Sequence, residues 1–362
     1  MGCFKYIAVR FFALNYYNLF NKKYNRAELI EFCGQGIITA PAWEKSHLDF
    51  ILQWLSDDEV VFVNTSGSTG AAKTIPLSKE LMRSSARLTA TFFRIEEGAR
   101  ALLVLPSAYI AGKMVIVRAL VNGWDLHWIE PTANPLCDIT EEFDIASFTS
   151  MQVAEIMNEC PEKFALIKTA LIGGGVTSDA LEQKLKTSTN KLFATYGMTE
   201  TITHVAVRPL NGEKAGNYFQ ALPGVRFSVD ARDCLVVEAA HLGGNKIATN
   251  DIVQLTSPFT FRFLGRVDNV INSGGIKLFP EKIEEKIAQL LDRSFFLIRE
   301  SDENLGDRMI MYIEGDVMDD SDFLRLRSAM KLLLNSHEMP RDIRFVNLFE
   351  RTDTHKVKRK NY

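Results

Sequence analysis

Small hydroxyl residues, two glycines and a lysine follow one another in residues 65–73. Glycine exposes backbone N–H groups, which together with hydroxyl donors and the charge of Lys73 suit the binding of phosphate oxygens. Ala72 stands where a Walker A loop needs glycine, and no G-x-G-x-x-G occurs, so neither of those nucleotide motifs is matched. Taken alone, the stretch is equally typical of a polar surface turn.

A second cluster of reactive side chains, residues 196–200, combines an aromatic ring, a glycine, a hydroxyl and a carboxylate. The ring of Tyr196 can lie on a base or an acyl group, and Glu200 can bind Mg²⁺. This motif is also weak by itself. Its interpretation depends on the first loop and on Asp251, Arg266 and Asp268, which follow it in order.

The elements that must position these residues alternate between helical and strand-like patterns from about residue 28 to 200, which predicts an α/β domain with a mainly parallel sheet. In such sheets ligands bind beyond the carboxyl ends of the strands, where we expect three small-residue loops, 64–73, 173–175 and 196–200. The predicted helices are 27–33, 47–55, 78–93, 114–121 and 178–186. The predicted strands are 60–63, 101–105, 126–129, 169–172 and 191–194, of which the first is expected to be buried.

The pattern changes after residue 205, where short strands at 226–229, 235–238 and 260–263 predict a β-rich subdomain. A Gly-Gly loop then precedes a helix that starts at Pro280. Further strands at 295–299, 309–313 and 343–346, with a helix between the last two, predict a small α+β unit. We therefore expect a large N-terminal domain, residues 1–267, and a small mobile C-terminal domain, residues 268–362.

Composition excludes several classes of protein. With 362 residues, 46% hydrophobic content and a net charge of -3, the chain is typical of a soluble protein, and it has no basic run longer than residues 356–360 that would predict a nucleic-acid partner. Five scattered cysteines without C-x-x-C spacing favour a reducing cytoplasm over a disulfide framework or a zinc site. The apolar runs near the N-terminus are too short to span a bilayer, so no stable membrane insertion is expected.

Taken in order, the motifs strongly resemble the adenylate-forming superfamily of acyl- and aryl-CoA synthetases, luciferases and adenylation domains. The resemblance implies that Asp268 is the hinge between the two domains. It implies ATP or AMP binding by Thr65, Ser66, Gly67, Ser68, Thr69, Gly70, Lys73, Gly173, Gly174, Gly175, Tyr196, Gly197, Met198, Asp251 and Arg266.

The same resemblance implies catalytic roles for Lys356, Thr199 and Glu200, with Glu200 also binding magnesium. It implies coenzyme A binding by Ser273, Gly274, Gly275 and Lys277, and substrate contacts by Tyr109, Gly112, Lys113 and His204. The sequence departs from the family pattern at Asn250 and His355, where members usually have glycine, and at Tyr109, where many have histidine.

The implied activity joins a small carboxylic acid to coenzyme A with ATP and Mg²⁺, through an acyl-adenylate. Within the superfamily, the compact length and residues 196–204 most resemble the o-succinylbenzoate–CoA ligases of menaquinone biosynthesis. Another aryl- or acyl-CoA ligase, an enzyme that loads a carrier protein, and a non-catalytic nucleotide or acyl-adenylate binder remain as alternatives. A homodimer is expected only from the oligomeric state that is usual in the family.

Overall fold

The computed structural model describes residues 16–64, 74–175, 177–303, 305–351 and 357–362. Its strands are β1 Tyr17–Leu19, β2 Lys22–Tyr24, β3 Val60–Asn64, β4 Thr74–Ser78, β5 Arg100–Leu103, β6 Asp125–Trp128, β7 Phe143–Thr149, β8 Ile167–Gly173, β9 Lys191–Gly197, β10 His204–Pro209, β11 Phe219–Ala221, β12 Val225–Val229, β13 Cys234–Ala239, β14 Lys246–Ser257, β15 Thr260–Arg266, β16 Ile271–Ser273, β17 Ile276–Leu278, β18 Phe295–Asp302, β19 Gly306–Glu314 and β20 Asp342–Val346.

The helices are α1 Arg26–Thr39, α2 Ala42–Leu55, α3 Lys79–Phe93, α4 Ile110–Asn122, α5 Ser150–Glu159, α6 Pro161–Phe164, α7 Asp179–Leu185, α8 Pro280–Ile287 and α9 Asp320–Leu333. Their starts follow capping chemistry, with Asn25 before α1, Ser78 before α3, Thr149 before α5 and Pro280 at the first turn of α8. Among the described residues, no helix is both long and apolar enough to cross a membrane.

One large sheet organises the N-terminal part. Its thirteen described strands run in the order β12-β13-β14-β15-β11-β10-β9-β8-β7-β5-β6-β1-β2. In this sheet order, each neighbouring pair of strands between β1 and β9 is parallel. Each pair between β9 and β12 is antiparallel. The stretch predicted as a β-rich subdomain is the antiparallel continuation of this sheet. Strand order reverses beside β5, which places a crevice at the carboxyl ends of β5 and β7.

The C-terminal part has its own sheet, in the order β17-β16-β19-β18 with β20 beside β19. Helices α8 and α9 cover one face, where Ile283, Ile287 and Met330 join one apolar cluster. The other face carries Phe296, Tyr312 and Phe349. The segment 357–362 lies along this face, with Lys358 N donating to Glu350 O at 2.8 Å.

One detail of the predicted core is wrong. The first strand, β3, was expected to be buried, yet among the described residues it pairs only with β4, and Phe62 is 64% exposed while Val61 is buried. Helix α3 carries Leu81, Ser85, Leu88 and Phe92 along one face, and the three apolar ones are partly buried against the core. Ser85 itself is buried, and the stripe of most buried residues, one residue further along, is Met82, Ser85, Ala86, Thr89 and Phe93. The small residues in this stripe allow close packing against α4, which is itself buried.

Candidate functional site

Glycines form the edge of the site where β8 ends. Gly173 closes the strand and Gly174 has φ +79, a conformation that favours glycine. A Cβ on Gly173 would lie 2.8 Å from the hydroxyl of Thr195, which itself donates to Ile172 O at 3.1 Å. A Cβ on Gly175 would meet nothing within 4 Å. Residues 173–175 thus form a backbone edge that is open at Gly175, on which a flat base can lie.

A polar cluster stands beside this edge, built from the ends of β9 and β15 and the middle of β14. Tyr196 donates its hydroxyl to Asp251 Oδ2 at 2.6 Å, and Arg266 Nη1 donates to Asp251 Oδ1 at 3.2 Å. Asp251 and Arg266 are direct cross-strand partners, which explains why residues fifteen positions apart meet. The structure therefore brings together three residues that the sequence assigned to nucleotide binding.

The Asp251 carboxylate keeps acceptor capacity for a ligand. Each oxygen of an ionised carboxylate can accept two hydrogen bonds, and here each has one donor from a described residue. Burial and the neighbouring Asp251 charge raise the pKa of Tyr196 well above its usual value, so its phenol remains a donor. Asp251 can accept from vicinal hydroxyls, as a ribose requires.

The turn that follows β9 is held by Thr201, which is fully buried. Met198 N donates to the Thr201 hydroxyl at 2.9 Å, and that hydroxyl lies 2.8 Å from Thr203 O. Gly197 has no room for a side chain, because a Cβ would lie 2.3 Å from Thr203 O. Ile202 adopts φ 65, a strained value for a β-branched residue. A turn held this tightly fixes where Thr199 and Glu200 point.

Glu200 is exposed at the tip of this turn, and Thr199 is half-buried beside it. No group of three or more acidic, histidine or cysteine residues that could form a metal cage occurs in the described chain. Magnesium commonly uses one or two carboxylates together with substrate phosphates, so a single accessible carboxylate fits that ion.

A buried cation, which the sequence did not single out, lies behind the same turn. Arg118 of α4 is 4% exposed, and its guanidinium donates to the Thr203 hydroxyl and to His204 Nδ1, the latter at 3.2 Å. No acidic partner for it occurs in the described residues, and its Nε is buried without a hydrogen bond there. Burial lowers the pKa of Arg118 to about 10, which still leaves it charged at neutral pH.

His204, predicted to contact substrate, is 6% exposed and belongs to this cluster. Burial, followed by the charges of Arg118 and His241, lowers the pKa of His204 well below its usual value, so the ring is neutral. Because Nδ1 accepts from Arg118, the proton lies on Nε2, which has no partner among the described residues. A neutral imidazole here is a hydrogen-bond donor.

The predicted acyl-pocket segment joins β5 to α4. Gly112 is required there, since a Cβ would lie 2.3 Å from Pro106 O. His47, fully buried, contacts the Ser107 hydroxyl through Nδ1 at 2.8 Å and fixes the segment from behind. Tyr109 precedes the first turn of α4. Lys113 is 8% exposed, and its ammonium lies 4.2 Å from the centre of the Phe50 ring, so the side chain is buried against an aromatic face.

The predicted hinge and coenzyme A residues lie further along the chain. Asp268 sits in a 3₁₀ turn, where Oδ2 accepts from Arg266 at 3.2 Å and from Asn250 at 3.4 Å. Ser273, Gly274, Gly275 and Lys277 belong to the β16–β17 hairpin of the C-terminal sheet. Both glycines have positive φ, 57 and 81, as a tight two-residue hairpin turn requires.

Several predicted site residues lie outside the described part of the chain. They are Thr65, Ser66, Gly67, Ser68, Thr69, Gly70, Lys73 and Lys356. Their neighbours are described, since β3 and β4 flank the first loop and Val357, which follows Lys356, pairs with Arg351.

Comparison with known proteins first defines the class. The family described as AMP-binding enzyme matches residues 37–240, more than half of the chain. An acyl-CoA synthetase (AMP-forming)/AMP-acid ligase II-like protein from Dyadobacter fermentans is 32% identical, with a TM-score of 0.61 over 90% of this chain and 95% of that one. The chain belongs to the family of AMP-binding enzymes, the adenylate-forming superfamily.

More distant relatives are similar over most of the chain. The 2-succinylbenzoate–CoA ligase of Lactococcus lactis is 22% identical over 83% of this chain and 70% of its own length. A probable 2-succinylbenzoate–CoA ligase of Mycobacterium tuberculosis is 26% identical over 84% of each. The o-succinylbenzoate CoA synthetase of Bacillus subtilis, solved with the acyl-adenylate OSB-AMP, shares the fold, with a TM-score of 0.72 and 19% identity over 82% of this chain and 67% of that one.

Proposed function

We propose that this protein is an AMP-forming acid–CoA ligase that acts on o-succinylbenzoate. The observation that carries the ligase activity is the convergence of Tyr196, Asp251 and Arg266 beside the glycine edge 173–175, in a member of the AMP-binding family. ATP, Mg²⁺ and coenzyme A are the reactants and cofactor that this activity requires. The names of the relatives support the choice of acid.

The first step is attack of the substrate carboxylate on the α-phosphate of ATP. Two anions must approach each other, so the site has to supply positive charge and N–H dipoles where negative charge develops. Asp251 holds the ribose, Arg266 holds Asp251 in place, and the edge 173–175 receives the adenine. Glu200 would hold Mg²⁺, which would neutralise phosphate charge, and Thr199 would donate to the α-phosphate.

The family resemblance assigns the remaining roles in this step to residues that lie outside the described part of the chain. The loop from Thr65 to Lys73 holds the leaving pyrophosphate, and Lys356 contributes a cation at the reacting phosphate. In the second step a thiol attacks the acyl-adenylate and AMP leaves. Rotation about Asp268 between the steps would withdraw Lys356 and present the β16–β17 hairpin, with residues 273–277, to the thiol.

Arg118 supports a substrate with a second carboxylate. A buried guanidinium without an acidic partner is costly, and a carboxylate that enters the pocket supplies the missing charge. The Thr203 hydroxyl and the Nε2–H of His204 lie in the same cluster. o-Succinylbenzoate has one carboxylate to activate and another for Arg118 to bind. Lys113, packed over Phe50, is the weaker candidate for this recognition.

The direct test measures pyrophosphate release with ATP, Mg²⁺ and coenzyme A over o-succinylbenzoate, benzoate, cinnamate and octanoate, with products identified by mass spectrometry. We expect selective formation of the o-succinylbenzoyl thioester. Preference for another acid would retain the ligase activity and overturn the substrate. Acid-dependent pyrophosphate release without thioester would favour a carrier-protein acceptor, and no release from the folded protein would favour a non-catalytic binder.

Arg118→Met tests the recognition of the second carboxylate. The variant removes a charge-assisted contact worth about 1.5–3 kcal/mol, so kcat/KM for o-succinylbenzoate should fall about 10- to 100-fold. The value for benzoate, which has no second carboxylate, should change little. Arg226→Met, which removes an arginine packed over exposed Phe259, is the matched control. Equal losses for both acids would show that Arg118 is only structural.

A further inference from the structure

Two neighbouring residues at the start of the C-terminal domain are hydrogen-bonded in opposite directions. Asp268 Oδ2 accepts from Arg266 of β15 at 3.2 Å and from Asn250 of β14 at 3.4 Å. Asn269 Nδ2 donates instead to Glu281 Oε1, in the first turn of α8. This change of partner places the boundary between the two parts at residues 268–269, which agrees with the proposed hinge.

The C-terminal domain packs against the large sheet at this boundary. A Cβ on Gly265 of β15 would lie 2.6 Å from Glu281 Oε2, so the start of α8 approaches that strand closely. The same Cβ would lie 3.6 Å from the Phe279 ring. We call this arrangement of the two parts the packed orientation. Rotation about Asp268 would move α8 away from β15, so the packed orientation depends on what holds Asp268.

The side chain of Asn250 is fixed so that its amide nitrogen faces Asp268. Its Oδ1 accepts from Arg232 Nη1 at 3.0 Å, which leaves the amide nitrogen, the donor, on the other side. Arg232 is fixed in turn by Asp230 Oδ2, which accepts from Nε at 2.9 Å and from Nη2 at 2.7 Å, and by Thr249 O at 3.1 Å. The chain of hydrogen bonds from Arg232 through Asn250 to Asp268 therefore begins in the large sheet.

The same carboxylate is connected to the nucleotide residues. Arg266 donates through Nη2 to Asp268 and through Nη1 to Asp251, at 3.2 Å in both cases, and Asn250 directly precedes Asp251 in β14. A hinge residue must change its backbone torsion angles when a domain rotates. A carboxylate held by donors from two adjacent strands resists that change, so both donors must let go of Asp268 before it can turn.

We propose that Asn250 is a positioning residue, which together with Arg232 holds Asp268 and thereby keeps the C-terminal domain in the packed orientation. We call these three residues the hinge latch. The inference rests on the proposed function only for the role of Asp268 as the hinge. Glycine, which is usual at position 250 in the family, has no side chain that could donate to Asp268, so the latch is a property of this chain.

The test measures domain orientation by single-molecule energy transfer in the full chain without ligands. The dyes are attached to p-acetylphenylalanine at the exposed positions 186, at the end of α7, and 327, in α9. Asn250→Ala should raise the ratio of other orientations to the packed one about two- to tenfold, the range expected for one hydrogen bond. Asn250→Asp keeps the acceptor for Arg232 but repels Asp268, so its effect should be larger.

A double-mutant cycle separates the latch from a general structural effect. In an Asp268→Ala background, Asn250→Ala should not change the ratio further, because the acceptor has already been removed. Asn245→Ala removes an exposed amide just before the same strand and should leave the ratio unchanged. An unchanged ratio in Asn250→Ala, an equal shift in the Asp268→Ala background, or a single orientation in every variant would overturn the latch.

The measurement requires no turnover, so its outcome is separate from that of the ligase assay. A shift of the ratio in a protein without ligase activity would support the latch and contradict the proposed function. An active ligase in which Asn250→Ala leaves the ratio unchanged would support the proposed function and overturn the latch.

Discussion

The nucleotide cluster and the C-terminal domain both contain an acid bonded to an arginine, yet the two pairs are built differently. Asp251 receives one bond from Arg266 and one from Tyr196, near an open glycine edge. Glu284 of α8 receives both Arg359 guanidinium nitrogens, at 2.7 and 2.6 Å, and also Leu297 N at 2.6 Å. The first acid has two donors and keeps capacity for a ligand, whereas the second has three donors, all from the protein.

Asp251 can therefore accept hydrogen bonds from a ligand, whereas the Glu284–Arg359 pair joins two segments of the C-terminal domain. Burial raises the pKa of Glu284, while Arg359 opposes that shift, as expected for an enclosed ion pair. Arg359 lies three residues after Lys356, so the pair fixes the segment beside the proposed catalytic lysine to the helix that follows the β16–β17 hairpin. A substitution of Asp251 should therefore reduce activity, whereas a substitution of Glu284 should reduce stability.

The largest effect is expected for Asp251→Ala. Loss of the ribose acceptor and of the partner of Arg266 should lower ATP–pyrophosphate exchange about 10³-fold, the scale at which a preorganised polar group contributes to catalysis. The thermal midpoint should change little, since the site has other polar partners. Asp292→Ala, an exposed acid, is the control. Normal exchange in Asp251→Ala would remove this residue from the site.

Glu284→Gln should act on stability first. It leaves the Arg359 guanidinium largely buried without a counter-charge, which costs about 3 kcal/mol. Urea unfolding followed by methyl signals of the buried Met309, Met311 and Met330 would measure the loss in the C-terminal domain. Glu350→Gln breaks an exposed pair with Lys360 and should change stability by less than about 1 kcal/mol. Equal effects of the two variants would contradict the enclosed state of the first pair.

Lowering the pH should destabilise the N-terminal part first and the C-terminal domain only at a lower pH. Burial lowers the pKa of His47 to about 4 from 6.5, so only the unfolded chain takes up this proton as pH falls through that interval. The N-terminal part then loses about 1.4 kcal/mol per pH unit for this group. In the C-terminal domain, Arg344 and Arg308 lower the pKa of Glu300 from 4.5 to about 2, so its contribution is lost only below 4.5.

Intrinsic fluorescence can follow the N-terminal part alone, because all four tryptophans precede residue 205. Its transition should begin at a higher pH than the change in methionine methyl signals of the C-terminal domain. His47→Asn should delay the tryptophan transition and leave the methyl signals unchanged. A single coincident transition in the native protein would show that the two parts do not unfold separately.

The sequence predicted most elements and the small-residue edge, because caps and apolar periodicity are local signals. Ser78 and Pro280 begin helices as expected, and Gly173 ends its strand. Strand β14, which carries Asp251, was not predicted, because its Asn-Asp pair is typical of a turn. Its strand conformation depends on pairing with β13 and β15, which no local pattern reveals.

Arg118 shows the same limit of local sequence patterns in predicting the residues of the site. A single arginine within an apolar helix is usually explained by a side chain that reaches solvent. The available signal was the absence of any acid three or four positions away in α4, which leaves the charge without a local partner. That the missing contacts come from Thr203 and His204, more than eighty positions along the chain, follows only from the fold.

The unbroken sheet has a consequence for how the chain can be divided. Strand β9 carries Tyr196, and its outer edge pairs with β10, so a fragment that ended before residue 204 would expose the backbone donors and acceptors of a long strand. Such an edge recruits other strands and promotes aggregation. The part that carries residues 173–175 and the part that carries Asp251 are therefore inseparable pieces of one folding unit, and neither should be recoverable as a soluble protein alone.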